Sequence, residues 1–326
     1  MAIEVSCGLP PGPEFSDWAV LAEELGYSRV WVFDSAPLWE DPFVHLALAG
    51  QKTSRIGLGT AVLIPSERSE MAMASAIASI TRLSGGRFRA CFGTGHTARR
   101  VMGRKPITLH ALAGYVETVR GLLAGETVII DGRPARMLHA DGLADTRPID
   151  VEIWLSAFGP RAVELAERIA DGIVGAPMSH GVPTATMFWG TVLDPGESRD
   201  SDRARRAAGP WQVVSYHDAY LVAGSDVVDA MPGGRAWREA LEELAAPDER
   251  HLLSHEGHVT HLSARDVALL EHAGDGMTVR GDADEIRTRL EGLADCGVQE
   301  VIYTPSGPDV ARELQAFHAA AADRRD

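Results

Sequence analysis

The chain has 326 residues, 45% hydrophobic and 24% charged, which is enough apolar material for one large core or two ordinary ones. Its formal charge of −15 lacks the basic footprint that a nucleic-acid partner requires. No run reaches membrane-span length and the N-terminus carries no basic-then-apolar secretion signal, so a cytoplasmic protein without membrane contact is expected. Cys7, Cys91 and Cys296 are odd in number and lie in apolar surroundings, which reads as reduced, buried thiols. Cys7 has no basic neighbour in sequence and reads as packing rather than nucleophile.

Ile3 to Gly8 reads as a first strand, closed by the breaker Pro10-Pro-Gly-Pro13. Ser16 is the expected cap of the next helix, with Trp18, Leu21, Ala22 and Leu25 on one face and Gly26 as its end. Val30-Trp-Val-Phe-Asp34 has almost no polar alternation, as expected of a strand covered on both faces. A helix from Asp41 to Lys52 and a strand from Ile56 to Ile64 follow. Next come a helix, a strand from Arg87 to Gly93 and a helix from Pro106 to Leu123. Asp131-Gly132 predicts a hairpin within Thr127 to Met137. The alternation resumes with strand Val151 to Ala157, helix Pro160 to Ala170 and strand Asp171 to Ala176.

Met178 to Pro210 loses the pattern and reads as an insertion over the mouth of the fold, with a seventh strand predicted from Trp211 to Val222. Helices are expected over Asp226 to Leu244, Ala264 to Leu270 and Asp282 to Cys296, then a last strand over Val298 to Tyr303 and a helical tail from Pro308. Eight strands alternating with helices favour a single α/β domain over residues 1–326, a closed (β/α)8 TIM barrel. A doubly wound sheet also alternates, but no Gly-x-Gly-x-x-Gly follows the first strand. In either fold the strands' carboxyl ends hold the site, and Gly93-Thr-Gly-His96 lies at one such rim.

Three segments, Thr53-Ser-Arg-Ile-Gly-Leu-Gly-Thr-Ala-Val-Leu-Ile-Pro65, Leu83-Ser-Gly-Gly-Arg-Phe88 and Gly93-Thr-Gly95, resemble the bacterial-luciferase-like oxidoreductases. Ser156-Ala-Phe-Gly-Pro-Arg161, Ala170-Asp-Gly-Ile-Val174 and the stretch Asp282 to Tyr303 resemble the same family, so the likeness runs from about Ile3 to Ser306. Val30 to Asp34 followed by Leu38-Trp-Glu-Asp-Pro42, and Gly95 to Ala98 leading to Gly103-Arg-Lys-Pro106, are similar to the coenzyme F420-dependent, methylenetetrahydromethanopterin reductase-like branch. Flavin mononucleotide (FMN) enzymes share most of these signals. The resemblance therefore implies hydride transfer between the deazaflavin C5 and a small organic substrate, with an FMN monooxygenase or a non-catalytic flavin-binding barrel as alternatives. It also makes a homodimer plausible.

The same resemblance implies site residues. A non-proline cis peptide forming a bulge against the cofactor ring falls on Ala61-Val62; without the family these are an ordinary strand end. Asp34 would approach the polar edge of the ring or the substrate, or else it caps a turn. Thr94, Gly95 and His96 match cofactor contacts on the fourth strand; His96 stands where relatives often carry an acid, and either acts as a general acid or bonds within its loop. Ser156, Ala157, Phe158 and Gly159, ahead of a helix start, with Gly175, Ala176 and Pro177, are the phosphate-side candidates, or a tight strand-to-helix turn. Trp39 either walls the pocket or packs. Among the clustered histidines His255, Glu256 and His258 read as a loop over the mouth touching substrate. Gly257 interrupts them and the His-Glu-x-x-His spacing is absent, so no metal is expected; a metal-dependent hydrolase ranks third.

Overall fold

Strand β1 (Glu4–Leu9) is followed by α1 (Phe15–Leu25), β2 (Arg29–Val32), α2 (Pro42–Lys52) and β3 (Gly57–Leu63). A short 3-10 turn at Pro65–Glu67, α3 (Glu70–Leu83), β4 (Phe88–Phe92), α4 (His96–Arg100) and α5 (Leu109–Ala124) continue the chain. A small hairpin, β5 (Val128–Ile130) and β6 (Arg133–Ala135), precedes β7 (Glu152–Ala157), α6 (Pro160–Ile169), β8 (Gly172–Gly175) and β9 (Thr184–Val192). The computed structural model describes residues 3–140, 142–272, 278–305 and 307–322; Ser306, at the end of the family resemblance, lies outside them.

The chain forms two compact units. One comprises Met1–His96, Pro106–Met187 and Leu293–Ile302; the other comprises Thr97–Lys105, Phe188–Gly292 and Tyr303–Asp326. In the first, parallel strands pair in the order β1-β2-β3-β4-β7-β8, and the start of β9 adds to β8 through Ile173 opposite Thr184. The last strand, β11 (Glu300–Thr304), lies between β9 and β1 and closes the ring of eight. This is a (β/α)8 barrel, as the alternation predicted.

Large rings meeting glycines fill its interior. Trp31, Ala61, Cys91, Trp154, Val174, Ala185 and Ile302 form one buried cluster. A Cβ on Gly59 would stand 2.6 Å from the Trp31 ring, and one on Gly172 would stand 2.3 Å from that of Trp154. The Trp31 indole donates to Glu300 Oε1 at 2.7 Å and Arg89 donates to Glu300 Oε2 at 3.0 Å, so the one buried carboxylate in this layer is paired. The barrel is therefore a packed core rather than a pore.

Around the ring, local chemistry sets most boundaries. Asp41 caps α2 by accepting from the Phe43 amide at 2.8 Å, with Pro42 at the first helical position. Gly26 ends α1 at φ 99° and Gly125 ends α5 at φ 83°. Asp131 and Gly132 both take positive φ, 49° and 75°, giving the hairpin turn the dipeptide predicts. Ser16 does not cap α1. The Gly12 carbonyl accepts from the Phe15 amide and starts the helix earlier, leaving Ser16 buried inside it and bonded by Lys52.

The second unit holds α7 (Asp202–Val222), α8 (Ser225–Ala230), α9 (Gly234–Leu244), α10 (Arg250–Leu253), α11 (Ala264–Leu269), β10 (Thr278–Gly281) and α13 (Val310–Ala321), with α12 (Ala283–Asp295) ending where the chain returns to the first unit. Two corrections fall here. Trp211 to Val222 is not a strand but the end of α7, capped by Ser201 and buried along Ala204, Ala207, Ala208, Gln212, Val213, Tyr216 and His217, a helical spacing. Pro210, read as the end of the insertion, sits within that helix. The seventh barrel strand is instead β9, inside the supposed insertion, and its outer half carries β10, which the sequence reading missed. Gly190 explains part of the concealment: it interrupts a Thr- and aromatic-rich run at φ 142°, where a Cβ would lie 1.8 Å from the Val279 carbonyl.

Val213, Tyr216, Val228, Trp237, Leu241 and Leu269 form this unit's core, and Phe317 of α13 stacks on Tyr303 with ring centroids 3.8 Å apart. Cys7 and Cys91 are buried as expected, and burial pushes both thiols far above their usual pKa; Cys296, expected to be buried, is exposed just past the end of α12. Among the described residues no helix is long and apolar enough to cross a membrane.

Candidate active site

The carboxyl ends of β2, β3, β4, β7 and β8 bring most of the expected site residues together within the first unit. Asp34 lies two residues beyond β2, with its side chain fully buried. Its Oδ2 accepts from the Ile64 amide at 3.3 Å and from Arg68 Nη1 at 2.8 Å; its Oδ1 is buried without a partner among the described residues. Burial raises the Asp34 pKa above the usual carboxylate value, while the Arg68 charge and hydrogen bond and the Ile64 N–H oppose it.

Arg68 was not foreseen. It reaches from the loop after β3 to Asp34, and its Nη2 donates to Asp41 Oδ2 at 2.6 Å. Its guanidinium lies over the Phe43 ring at 5.2 Å, and its carbonyl accepts from the Tyr115 hydroxyl at 2.8 Å. Burial raises the pKa of the Tyr115 phenol, with the Glu70 charge adding to it, so that hydroxyl stays a donor. No local motif signals Arg68, since its partners lie 34, 27 and 47 residues away along the chain.

The Ala61–Val62 peptide is cis, at the position the resemblance indicates. The register against β4 shifts there: Ala61 pairs with Cys91 but Leu63 with Phe92. Gly93 lies against the bulge, its amide donating to the Leu63 carbonyl at 3.0 Å; a Cβ there would be 2.6 Å from Val62 Cγ2 and 3.6 Å from Ser156 Cβ. Asp34, Ile64, the bulge, Gly93 and Ser156 thus lie next to one another across four strand ends.

Thr94 is half-buried, its carbonyl accepting from the Ile107 amide at 3.0 Å, and Gly95 turns the chain at φ 76° so that α4 begins with exposed His96. On β7 and β8, Ala157 is opposite Gly175, whose carbonyl accepts from Thr186 Oγ1 at 2.9 Å. Phe158 is 60% exposed, and Gly159 starts α6 with no side-chain cap; Pro160 carries no N–H, and the Ala162 amide donates to the Gly159 carbonyl at 2.9 Å. Ala176 is half-buried and Pro177 exposed, and half-buried Trp39 sits 5.2 Å from the Phe33 ring.

His255, Glu256 and His258 belong to the second unit. His255 is buried against His217 and His258, with ring centroids 5.4 and 4.8 Å apart. His217 Nε2 is 2.9 Å from Asp266 Oδ1, to which the Trp237 indole also donates at 2.9 Å, and His217 and Trp237 are stacked. Burial, then the charges of His255 and His217, hold the His258 pKa well below the usual imidazole value. Glu256 is exposed and pairs with Arg265 at 3.0 Å. Among the described residues no group of three or more His, Cys, Asp or Glu side chains is arranged to hold a metal ion.

The barrel agrees with the fold of solved structures to which the chain is similar. The chain is similar to a 5,10-methylenetetrahydromethanopterin reductase of Methanolobus tindarius, 28% identical with 94% of each chain covered. It is also similar to an F420-dependent glucose-6-phosphate dehydrogenase of Kineococcus radiotolerans, 27% identical with 95% of this chain and 91% of the other covered. A solved coenzyme F420-dependent tetrahydromethanopterin reductase from Methanopyrus kandleri superposes with a TM-score of 0.68 at 19% identity over 98% of each chain, a likeness of fold. The sequence profile of one family, described as luciferase-like monooxygenase, matches residues 4–300. With nearly the whole barrel inside that match, the chain belongs to the luciferase-like monooxygenase family.

Proposed function

We propose that this protein is an oxidoreductase that uses coenzyme F420 at the carboxyl ends of the barrel strands and acts on a small organic substrate. The observation that carries the reading is Asp34: a fully buried carboxylate with one oxygen held by Arg68 and Ile64 and the other left as an acceptor for a bound donor. Its neighbours suit a flat ring. The Ala61–Val62 bulge and Gly93 form a surface without projecting polar groups. Names borne by relatives that align along nearly the full length support the deazaflavin over FMN.

When bound, the deazaflavin supplies a two-electron hydride donor and acceptor at C5. The chain's own part is to orient and to manage protons. Asp34 Oδ1 would accept a hydrogen bond from the ligand and orient its polar edge, while the bulge and Gly93 would offer a face to its ring. His96, exposed at the start of α4, would deliver or take the proton that accompanies hydride transfer. Thr94, Gly95, Ser156, Ala157, Phe158, Gly159, Gly175, Ala176 and Pro177 are assigned to the cofactor and Trp39 to the substrate.

Paired fluorescence titration of the purified protein with coenzyme F420 and with FMN tests this. Tight binding of the deazaflavin alone, followed by substrate-dependent bleaching of its long-wavelength absorbance, is the expected result. Preference for FMN would move the protein to oxygen chemistry, and binding of neither would remove the enzyme assignment.

A further inference from the structure

Arg68 is where the site's electrostatics converge. Its two terminal nitrogens are divided between Asp34 Oδ2 and Asp41 Oδ2, its face covers Phe43 and its carbonyl is held by Tyr115. Asp41 is itself fixed, since its other oxygen caps α2. The guanidinium is therefore held from two elements, the turn after β2 and the start of α2, while α5 fixes the main chain of Arg68 through Tyr115. Such clamping limits the rotamer freedom that usually weakens an arginine pair.

Asp41 is half exposed to water, which screens its charge, whereas Asp34 has no exposed side-chain surface. Arg68 is thus the cation on which the buried carboxylate depends. The other titratable groups packed around it are the Tyr115 phenol and the Glu70 carboxylate, neither of which supplies positive charge. Because both Arg68 and the Ile64 amide take Oδ2, they fix the carboxylate in one orientation and leave Oδ1 to a ligand.

Resting on the reading of Asp34 as the ligand-orienting carboxylate, we propose that Arg68 is the positioning residue of this site: as the counter-charge and hydrogen-bond donor at Oδ2 it holds the Asp34 carboxylate in place and reserves Oδ1 for the donor edge of the bound cofactor. It acts through Asp34 and needs no contact with cofactor or substrate.

The test compares wild type with Arg68→Met, Arg68→Lys and Asp34→Asn in the full-length protein, using aspartate labelled with carbon-13 at the carboxyl. The resonance lost in Asp34→Asn identifies Asp34. In cofactor-free protein its titration is expected to move to higher pH in Arg68→Met and to return toward wild type in Arg68→Lys. Coenzyme F420 is expected to bind Arg68→Met about 10- to 100-fold more weakly at neutral pH, the effect of losing a charged hydrogen-bond partner. Binding should recover as pH rises and Asp34 ionises, whereas Asp34→Asn binds weakly at every pH. An unmoved Asp34 titration, or an Arg68→Met defect that is equal at all pH values, overturns the proposal. A moved titration in protein that binds no coenzyme F420 supports the hold of Arg68 on Asp34 and overturns the deazaflavin reading alone. Should Arg68→Met fail to fold, Arg68→Gln, uncharged and polar, carries the same comparison.

Discussion

Gly93 leaves no room for a side chain, and the reason is local to the bulge. The Cβ of an alanine would stand 2.6 Å from Val62 Cγ2, and valine, branched at Cβ, has little freedom to turn away. Gly93→Ala is expected to destabilise the fold by about 1–3 kcal/mol, the usual cost of overpacking. Val62→Ala in the same chain should remove most of that cost, because it deletes the clashing methyl. Urea unfolding of the two single variants and the double variant gives the coupling, and additive losses would sink the account. Asp34, Ala61 and Val62 were legible in the sequence only through family likeness. Read alone, each is an ordinary residue at a strand end. Arg68 and Tyr115 were not legible at all, because their roles come from neighbours brought together by closure of the barrel.

Helix α11 is short, and its start carries a disproportionate share of the second unit's polar satisfaction. Ser263 caps it in a reciprocal box with Asp266, while Asp266 also accepts from Trp237 and pairs with His217. These contacts, against the cost of burial, lower the Asp266 pKa to about 2. Ser263→Ala is expected to cost about 1 kcal/mol as a lost cap. It also takes one donor from Asp266, so the loss should exceed that of the exposed cap Thr108→Ala on α5. Chemical denaturation of both variants decides, and equal losses would mean that the Asp266 contacts add nothing. Helix α7 teaches a complementary lesson. Val213, Val214, Tyr216 and Tyr220 have strand propensity, yet a capped start at Ser201 and a continuous buried face make them helical. Propensity yields where burial on one face favours the other period.

Acid should act oppositely on the two units. His258 is held neutral in the fold, so the unfolded chain binds its proton first; stability is present above about pH 6.5 and is lost as pH falls below it. Asp266, with its depressed value, adds a later loss, from about pH 4 toward pH 2. Asp34 behaves in the reverse sense. Its raised pKa means that the folded form takes up a proton before the unfolded chain does, so acidification relieves its burial. Amide exchange between neutral and mildly acidic pH is expected to lose protection first in α7, α9 and α11, at about 1.4 kcal/mol per pH unit for each histidine held neutral. Earlier loss in β1 to β4 would contradict the assignment.

The alternation of apolar strands and amphipathic helices was enough to predict a (β/α)8 barrel, because a strand buried on both faces and a helix with one apolar stripe leave few ways to close a core. Local chemistry also predicted the Asp131-Gly132 hairpin and the Gly26 stop, since positive φ is a property of single residues. The seventh strand escaped this reading, since Gly190 is required by a backbone 89 residues further on, at Val279. The site was decided by the same kind of contact. Whether Asp34 is an ordinary turn residue or a buried, half-satisfied carboxylate depends on Ile64 and Arg68 meeting it, and only the closed ring of strands brings those groups to within hydrogen-bonding distance.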